Sequence, residues 1–345
     1  MTATTIRAER LRPRWLVVGL VAVVAAGGVS LIVGPAGLSP LQIMRHVFGL
    51  HSQLNGQQRA IIDQIRLPRV VLGLLVGATL SICGASYQGV FRNPLADPYL
   101  LGAAAGAGLG VTFVIVGTAE GSATPFAAPA AAFVGALVAV ALAYVLGSAG
   151  TARASTASLI LAGVAVASFL TAVQTYVQQR NQSTIRQVYS WILGRLSVAG
   201  WHDVVLLLPY TVATAAVLLA HRRVLDVMAV GDEEAETLGV HTRRTRLIVV
   251  IAASLGTAAA VSVSGLIAFV GIIVPHTVRL VAGRSNRIVL PLSLLFGGAF
   301  LCLADLIART LSSPAEIPIG VVTAFFGAPF FVIVLRAARR SGVTP

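Results

Sequence analysis

The chain has 345 residues, of which 57% are hydrophobic and 11% charged; its mean hydropathy is +0.88 and its net charge +13. This composition excludes an ordinary soluble domain, and basic residues scattered between apolar runs argue against a nucleic-acid partner. The 25 basic residues are all arginine, whereas a P-loop needs a lysine after its glycines, so any ATP is hydrolysed by another subunit.

Arg7, Arg10, Arg12 and Arg14 precede an apolar run from Trp15 to Val33. That run exceeds the ~7–15 residues of a signal-peptide core. It reads as span 1, with residues 1–14 as a cytoplasmic arm and residues 15–340 as one transmembrane domain ahead of a tail, 341–345. Residues 35–67 form a mixed outer loop. Span 2 runs from about Pro68 to Gly89 and ends in RNPLADP, a compact turn of Asn93-Pro94 and Asp97-Pro98. Asp97 and Pro98 suit the N-cap and first position of span 3, about 99–117. Span 3 contains LGAAAGAGLG. With no strand before it, this is not a dinucleotide motif; Gly102, Gly106 and Gly110 are small residues that let two helices approach.

Span 4 covers about 126–147 and span 5 about 156–178. Span 5 carries Ser168, Thr171, Gln174, Thr175 and Gln178 at helical spacing, which either line a wet path or bond a neighbouring helix. Residues 180–197 form an external segment with interfacial Tyr189 and Trp191; Trp201 follows just before span 6, about 203–220. His221 to Arg246 is the longest charged interruption. Within it Asp232 can cap a short helix, Glu233 and Glu234 fill its first turn, Gly239 can end it, and Ala235 and Leu238 share a face. A capped helix between two spans suits docking to a soluble partner. Residues 247–282 break near Ser264-Gly265 into spans 7 and 8, followed by span 9, about 288–309, and span 10, about 318–335. Cys83 and Cys302 lie in apolar runs and read as packing residues.

Ten spans leave 17 of the arginines on one side, the cytoplasm by the positive-inside rule. That side includes the 221–246 stretch and both termini. The expected fold is an all-α integral membrane protein with ten transmembrane helices.

Three segments in order make the reading specific: RLPRVVLGLLVGATLSICGASYQGVFRNPLADPYLLG (66–102), GLIAFVGIIVPHTVRL (265–280), and ADLIART with IPIGVVTAFFGAPFF (304–331). They resemble the permeases of type II ABC importers, the FecCD-like transport permeases that take up iron-siderophores, haem or cobalamin. The resemblance covers about residues 15–340 and places Gly271, Pro275, His276, Gly320, Gly327 and Pro329 in motifs of structural weight. It implies the type II importer permease fold, a second permease subunit (usually a homodimer), two cytoplasmic ATPase subunits that hold ATP and Mg, and an extracytoplasmic binding protein. No cofactor or metal is expected on this chain itself, and His276 reads as a packed histidine.

The resemblance also implies that GDEEAETLGV docks in the ATPase, that helices 5 and 10 line the pathway, and that Thr156 belongs to a cytoplasmic gate. Ala157 stands where the cobalamin member has a hydroxyl residue. Arg66, Arg69 and Arg309 match positions that pair with glutamates of the binding protein as exposed forks; the alternative is local pairing, with Asp305 beside Arg309 and Asp63 near Arg66. Iron-siderophore is ranked first among the cargoes. An ion-coupled secondary transporter would need midplane carboxylates, which the spans lack; a purely structural membrane scaffold is the third reading.

Overall fold

A computed structural model describes residues 11–34, 36–118, 126–148, 156–197, 200–313 and 315–340, which are helical with no strand among them. In chain order the helices are α1 (Pro13–Ile32), α2 (Pro40–Val47), α3 (Gly56–Ala60), α4 (Leu67–Phe91), α5 (Ala103–Gly117), α6 (Ala127–Ser148), α7 (Thr156–Arg180), α8 (Ile185–Ile192), α9 (Trp201–Met228), α10 (Asp232–Thr237), α11 (Thr242–Ser264), α12 (Val270–Val281), α13 (Asn286–Thr310) and α14 (Ile319–Arg340). Among the described residues, seven helical stretches are long and apolar enough to cross a membrane; α5, α12 and the apolar part of α14 are shorter apolar helices. A helix therefore lies at each of the ten expected positions, and the chain is a multi-pass membrane protein.

Helix α4 is the centre. Lipid offers no hydrophobic drive between helices, so close packing and interhelical hydrogen bonds hold them together. Gly77 of α4 meets Gly297 of α13, Gly84 meets Gly271 of α12, and Gly106 of α5 meets Gly135 of α6; a Cβ on Gly77, Gly84, Gly106, Gly135 or Gly297 would overlap the partner's backbone, and one on Gly271 would overlap the Pro98 ring. Polar pairs add to the packing: Thr79 bonds Thr211 of α9 at 2.8 Å, and the Tyr87 hydroxyl bonds Ser254 of α11 at 2.6 Å.

Several boundaries differ from the sequence reading. The helix that becomes α4 starts at Gly56, capped by Asn55, and passes through a π-helical turn at Ile61–Arg66. Helix α9 continues to Met228 and α11 already begins at Thr242, so much of the charged 221–246 stretch is helical extension rather than loop. Span 3 begins at Ala103, not 99, with Gly102 as its N-cap at φ +84°. Gly102 is thus the cap and not part of the close-packed face. Gly110 does belong to that face, against Ala131 of α6. The break after Ser264 falls where expected.

The two short helices explain the extended segments beside them. At 1.5 Å per residue, α5 with 15 residues and α12 with 12 fall short of a hydrocarbon core of about 30 Å. Residues 93–102 and 265–269 complete those paths without helix, which requires partners for their backbone inside the protein.

Candidate functional site

Those partners come from two side chains. Gln88 of α4 donates to the carbonyls of Gly271 at 2.9 Å and Ala96 at 3.2 Å, and accepts from Arg279 of α12. The Tyr99 hydroxyl donates to the Ile267 carbonyl at 3.0 Å and accepts the Ile267 N–H at 3.2 Å, so one side chain satisfies both backbone groups in the break between α11 and α12. Inside the RNPLADP turn, Asn93 accepts from the Leu95 N–H at 2.9 Å and Asp97 from the Tyr99 N–H at 2.8 Å. Asp97 thus caps a local turn rather than α5. Pro94 follows the turn's first residue, and Pro98 lies against Gly271.

The same break reaches α14. Phe269 holds φ +69°, rare for a bulky residue, and its ring covers Gly327. Gly320 lies against the carbonyls of Leu193 and Leu266 and donates its N–H to Leu193 at 3.0 Å. Pro275 and Pro329 lie inside α12 and α14. His276, half-buried, meets the Phe330 ring edge-on at 5.7 Å. Among the described residues no group of histidine, cysteine and carboxylate could hold a metal ion, and Cys83 and Cys302 are buried free thiols.

The elbow is α10. Gly231 is its N-cap, not Asp232. Freed from capping, Asp232 accepts from Arg246 of α11 at 2.8 Å and lies 3.7 Å from Arg92 at the end of α4. Glu234 folds back over Gly231, Glu236 accepts from Thr242 at 2.7 Å, and Glu233 also has an interaction within the chain. The C-terminus closes as a Schellman motif: Val240 N–H reaches Ala235 O at 3.0 Å, Gly239 N–H reaches Glu236 O at 2.9 Å, and Gly239 takes φ +83°. Ala235 is 0% exposed and Leu238 69% exposed. They do not share a face: Ala235 anchors α10 to the bundle, and Leu238 is presented outward.

At the opposite end of the molecule the exposed-fork reading of the arginines is overturned. Arg66, Arg69 and Arg309 are all buried. Arg69 bonds Asp305 of α13 at 2.8 Å and Glu316 at 2.8 Å. Arg66 donates to the carbonyls of Leu31 and Ile32 at 3.0 Å, closing the end of α1. Arg309 donates to Ser30 and lies 3.8 Å from Asp305. Asp63 pairs with His46 at 3.0 Å rather than with Arg66. A charge near lipid needs a partner: Arg69 and Arg309 lie against Asp305, and Arg66 is met by backbone carbonyls. Glu316, which sequence reasoning did not single out, roofs a cavity of about 160 Å³ with Arg195 and Ser197. A carboxylate just after ADLIART in an otherwise acid-poor chain was the available signal.

The polar stripe of α7 divides. Gln174 and Gln178 are buried, Gln174 against Gly108 of α5, whereas Ser168, Thr171 and Thr175 are exposed on a face that no helix among the described residues covers. The Thr156 side chain lies outside the described residues. Asp226 was also missed as a joint: it accepts from Ser285 and from the Asn286 N–H, tying α9 to the start of α13.

A helical bundle around α4, joined through unwound segments and carrying one short elbow between two long helices, defines a multi-pass transport permease. Residues 20–337 match the FecCD transport family. The chain is 45% identical over 280 residues to the cobalamin import system permease protein BtuC of Halobacterium salinarum, covering 81% of this chain and 74% of that one. It is 35% identical to the hemin transport system permease protein HmuU of Yersinia pestis, covering 96% and 99%, and 33% identical to the Fe(3+)-citrate import system permease protein YfmD of Bacillus subtilis, covering 96% and 97%. A solved metal-chelate type ABC transporter in an inward-facing conformation superposes with a TM-score of 0.83 at 27% identity, covering 94% of this chain and all of that one. The chain belongs to the FecCD transport family and is a permease subunit of an ABC importer.

Proposed function

We propose that this chain is one half of the membrane pathway of an ATP-driven importer for a bulky metal chelate: cobalamin, haem or an iron(III)-siderophore. Ten helices cross the membrane, both termini and α10 face the cytoplasm, and a second copy of the chain completes the channel. Two ATPase subunits hold ATP and Mg, and an extracytoplasmic binding protein delivers cargo; the chain itself binds no cofactor. The higher identity to a cobalamin permease than to the hemin and iron-citrate permeases favours cobalamin as the first cargo to assay.

The observation that carries the reading is the continuous connection from elbow to pathway. A push on α10 reaches Arg92 through Asp232, the turn after Arg92 reaches Ile267 through Tyr99, and Phe269 two residues on bears on Gly327 of α14. Nucleotide-driven movement of the elbow therefore tilts α14, and the exposed hydroxyl face of α7 lines the path. Thr156 lies at the α7 end nearest the cytoplasm and serves the gate. Ion coupling is disfavoured because Asp305, the least exposed carboxylate among the described residues, is locked to Arg69.

Reconstitution tests this. Cobalamin, haem and ferric siderophore are offered separately to proteoliposomes holding the permease, with and without the ATPase and binding protein. Uptake of one cargo that requires ATP and both partners is expected. Uptake driven by a proton gradient with no ATPase present would end the importer reading.

A further inference from the structure

Helix α1 leaves a groove along the bundle. Its walls are Trp15, Val18 and Ala22 of α1, Thr277 and Val281 of α12 and Phe300 of α13, and it encloses about 440 Å³. From Trp15 to Leu303 it runs from the helix ends to roughly 20 Å deep at 1.5 Å per residue, past the middle of the hydrocarbon core. Apart from Thr277, whose hydroxyl donates to the Ile273 carbonyl at 2.8 Å, the lining is aliphatic and aromatic, so an apolar chain lies in it without an unsatisfied polar group.

Its mouth is basic. Trp15 stands at the entrance with the Arg14 guanidinium stacked 5.7 Å from the ring centroid, a pairing that fixes a cation at headgroup depth. Arg12 and Arg14 are exposed, and among the described residues neither forms an ion pair with a carboxylate. Asp226, at the junction of α9 and α13, is taken by Ser285, Asn286 and Arg287. We propose that the groove between α1, α12 and α13 is a binding site for an anionic phospholipid of the leaflet where α1 begins. One acyl chain lies along the groove and the headgroup phosphate is held between Arg12 and Arg14. Occupation packs α1 against α12, which carries the Gly271 joint.

The site is tested by native mass spectrometry of the full permease released from nanodiscs containing equal phosphatidylglycerol and phosphatidylcholine. Retention of phosphatidylglycerol over phosphatidylcholine is expected, by roughly five-fold for each arginine engaged. Replacing both Arg12→Gln and Arg14→Gln removes the preference, whereas Arg45→Gln at the opposite end leaves it unchanged. Ala22→Phe fills the groove and lowers retention of both lipids; it keeps the question open to measurement if the double variant does not fold. Equal retention of the two lipids by the unaltered chain, or a preference that survives both changes at the mouth, overturns the proposal. The readout is lipid mass, so it stands whatever cargo the importer carries.

Discussion

The elbow end and the opposite end of this chain both gather charge, and they use it in opposite ways. Around Arg69 the charges turn inward: two carboxylates close on one guanidinium, and Arg66 and Arg309 spend their donors on the end of α1. At α10 the charges are fasteners at the edge of an exposed element. Asp232 and Glu236 tie the short helix to α11 while Leu238 stays outside. The difference teaches where a partner can act without dismantling the fold. The ATPase contact proposed above needs a surface that is exposed yet anchored, and α10 offers Leu238 outward with Ala235 buried beneath it. The arginine cluster is rigid but closed, so contact there falls first on Glu316 and Arg195.

The comparison is broken most severely by Asp305→Ala. It leaves Arg69 and Arg309 charged and buried beside a missing partner, and removal of one member of a buried pair costs about 3–5 kcal/mol. Thermal unfolding in detergent should show a large loss, with poor membrane yield. Charge reversal at Arg69 should do the same, so weakened binding-protein docking in that variant would follow from misfolding; a well-folded variant would contradict the burial. Next in size is Tyr99→Phe, which strips Ile267 of both partners at a cost of about 1–3 kcal/mol. ATP hydrolysis should continue with transport reduced, measured as cargo moved per ATP; unchanged coupling would remove Tyr99 from the connection.

Gly239→Ala forces a side chain into the left-handed region at about 1–2 kcal/mol, confined to the elbow. Global unfolding should barely move while ATPase activity ceases to respond to the binding protein. Leu238→Ser should leave stability untouched and weaken association with the ATPase, read by co-purification; equal recovery of the complex would show that the exposed leucine contributes nothing.

Much of this molecule was legible in its residues. Apolar runs of span length, the break at Ser264-Gly265 and the helix ended by Gly239 are local or periodic signals, and lipid enforces the runs because backbone in hydrocarbon has to bond to itself. Gly106 and Gly110 were readable as a close-packed face for the same reason. What the sequence could not decide is which side chain meets which across hundreds of positions. Arg69 closes on Asp305, 236 residues away, and the Tyr99 hydroxyl seals a break 168 residues on. Asp232, a capping residue by local rules, is drawn instead to Arg246. Exposure of the arginines, division of the α7 stripe and the groove beside α1 depend on the packing of several helices at once, and only the tertiary structure fixes which face of each helix is covered.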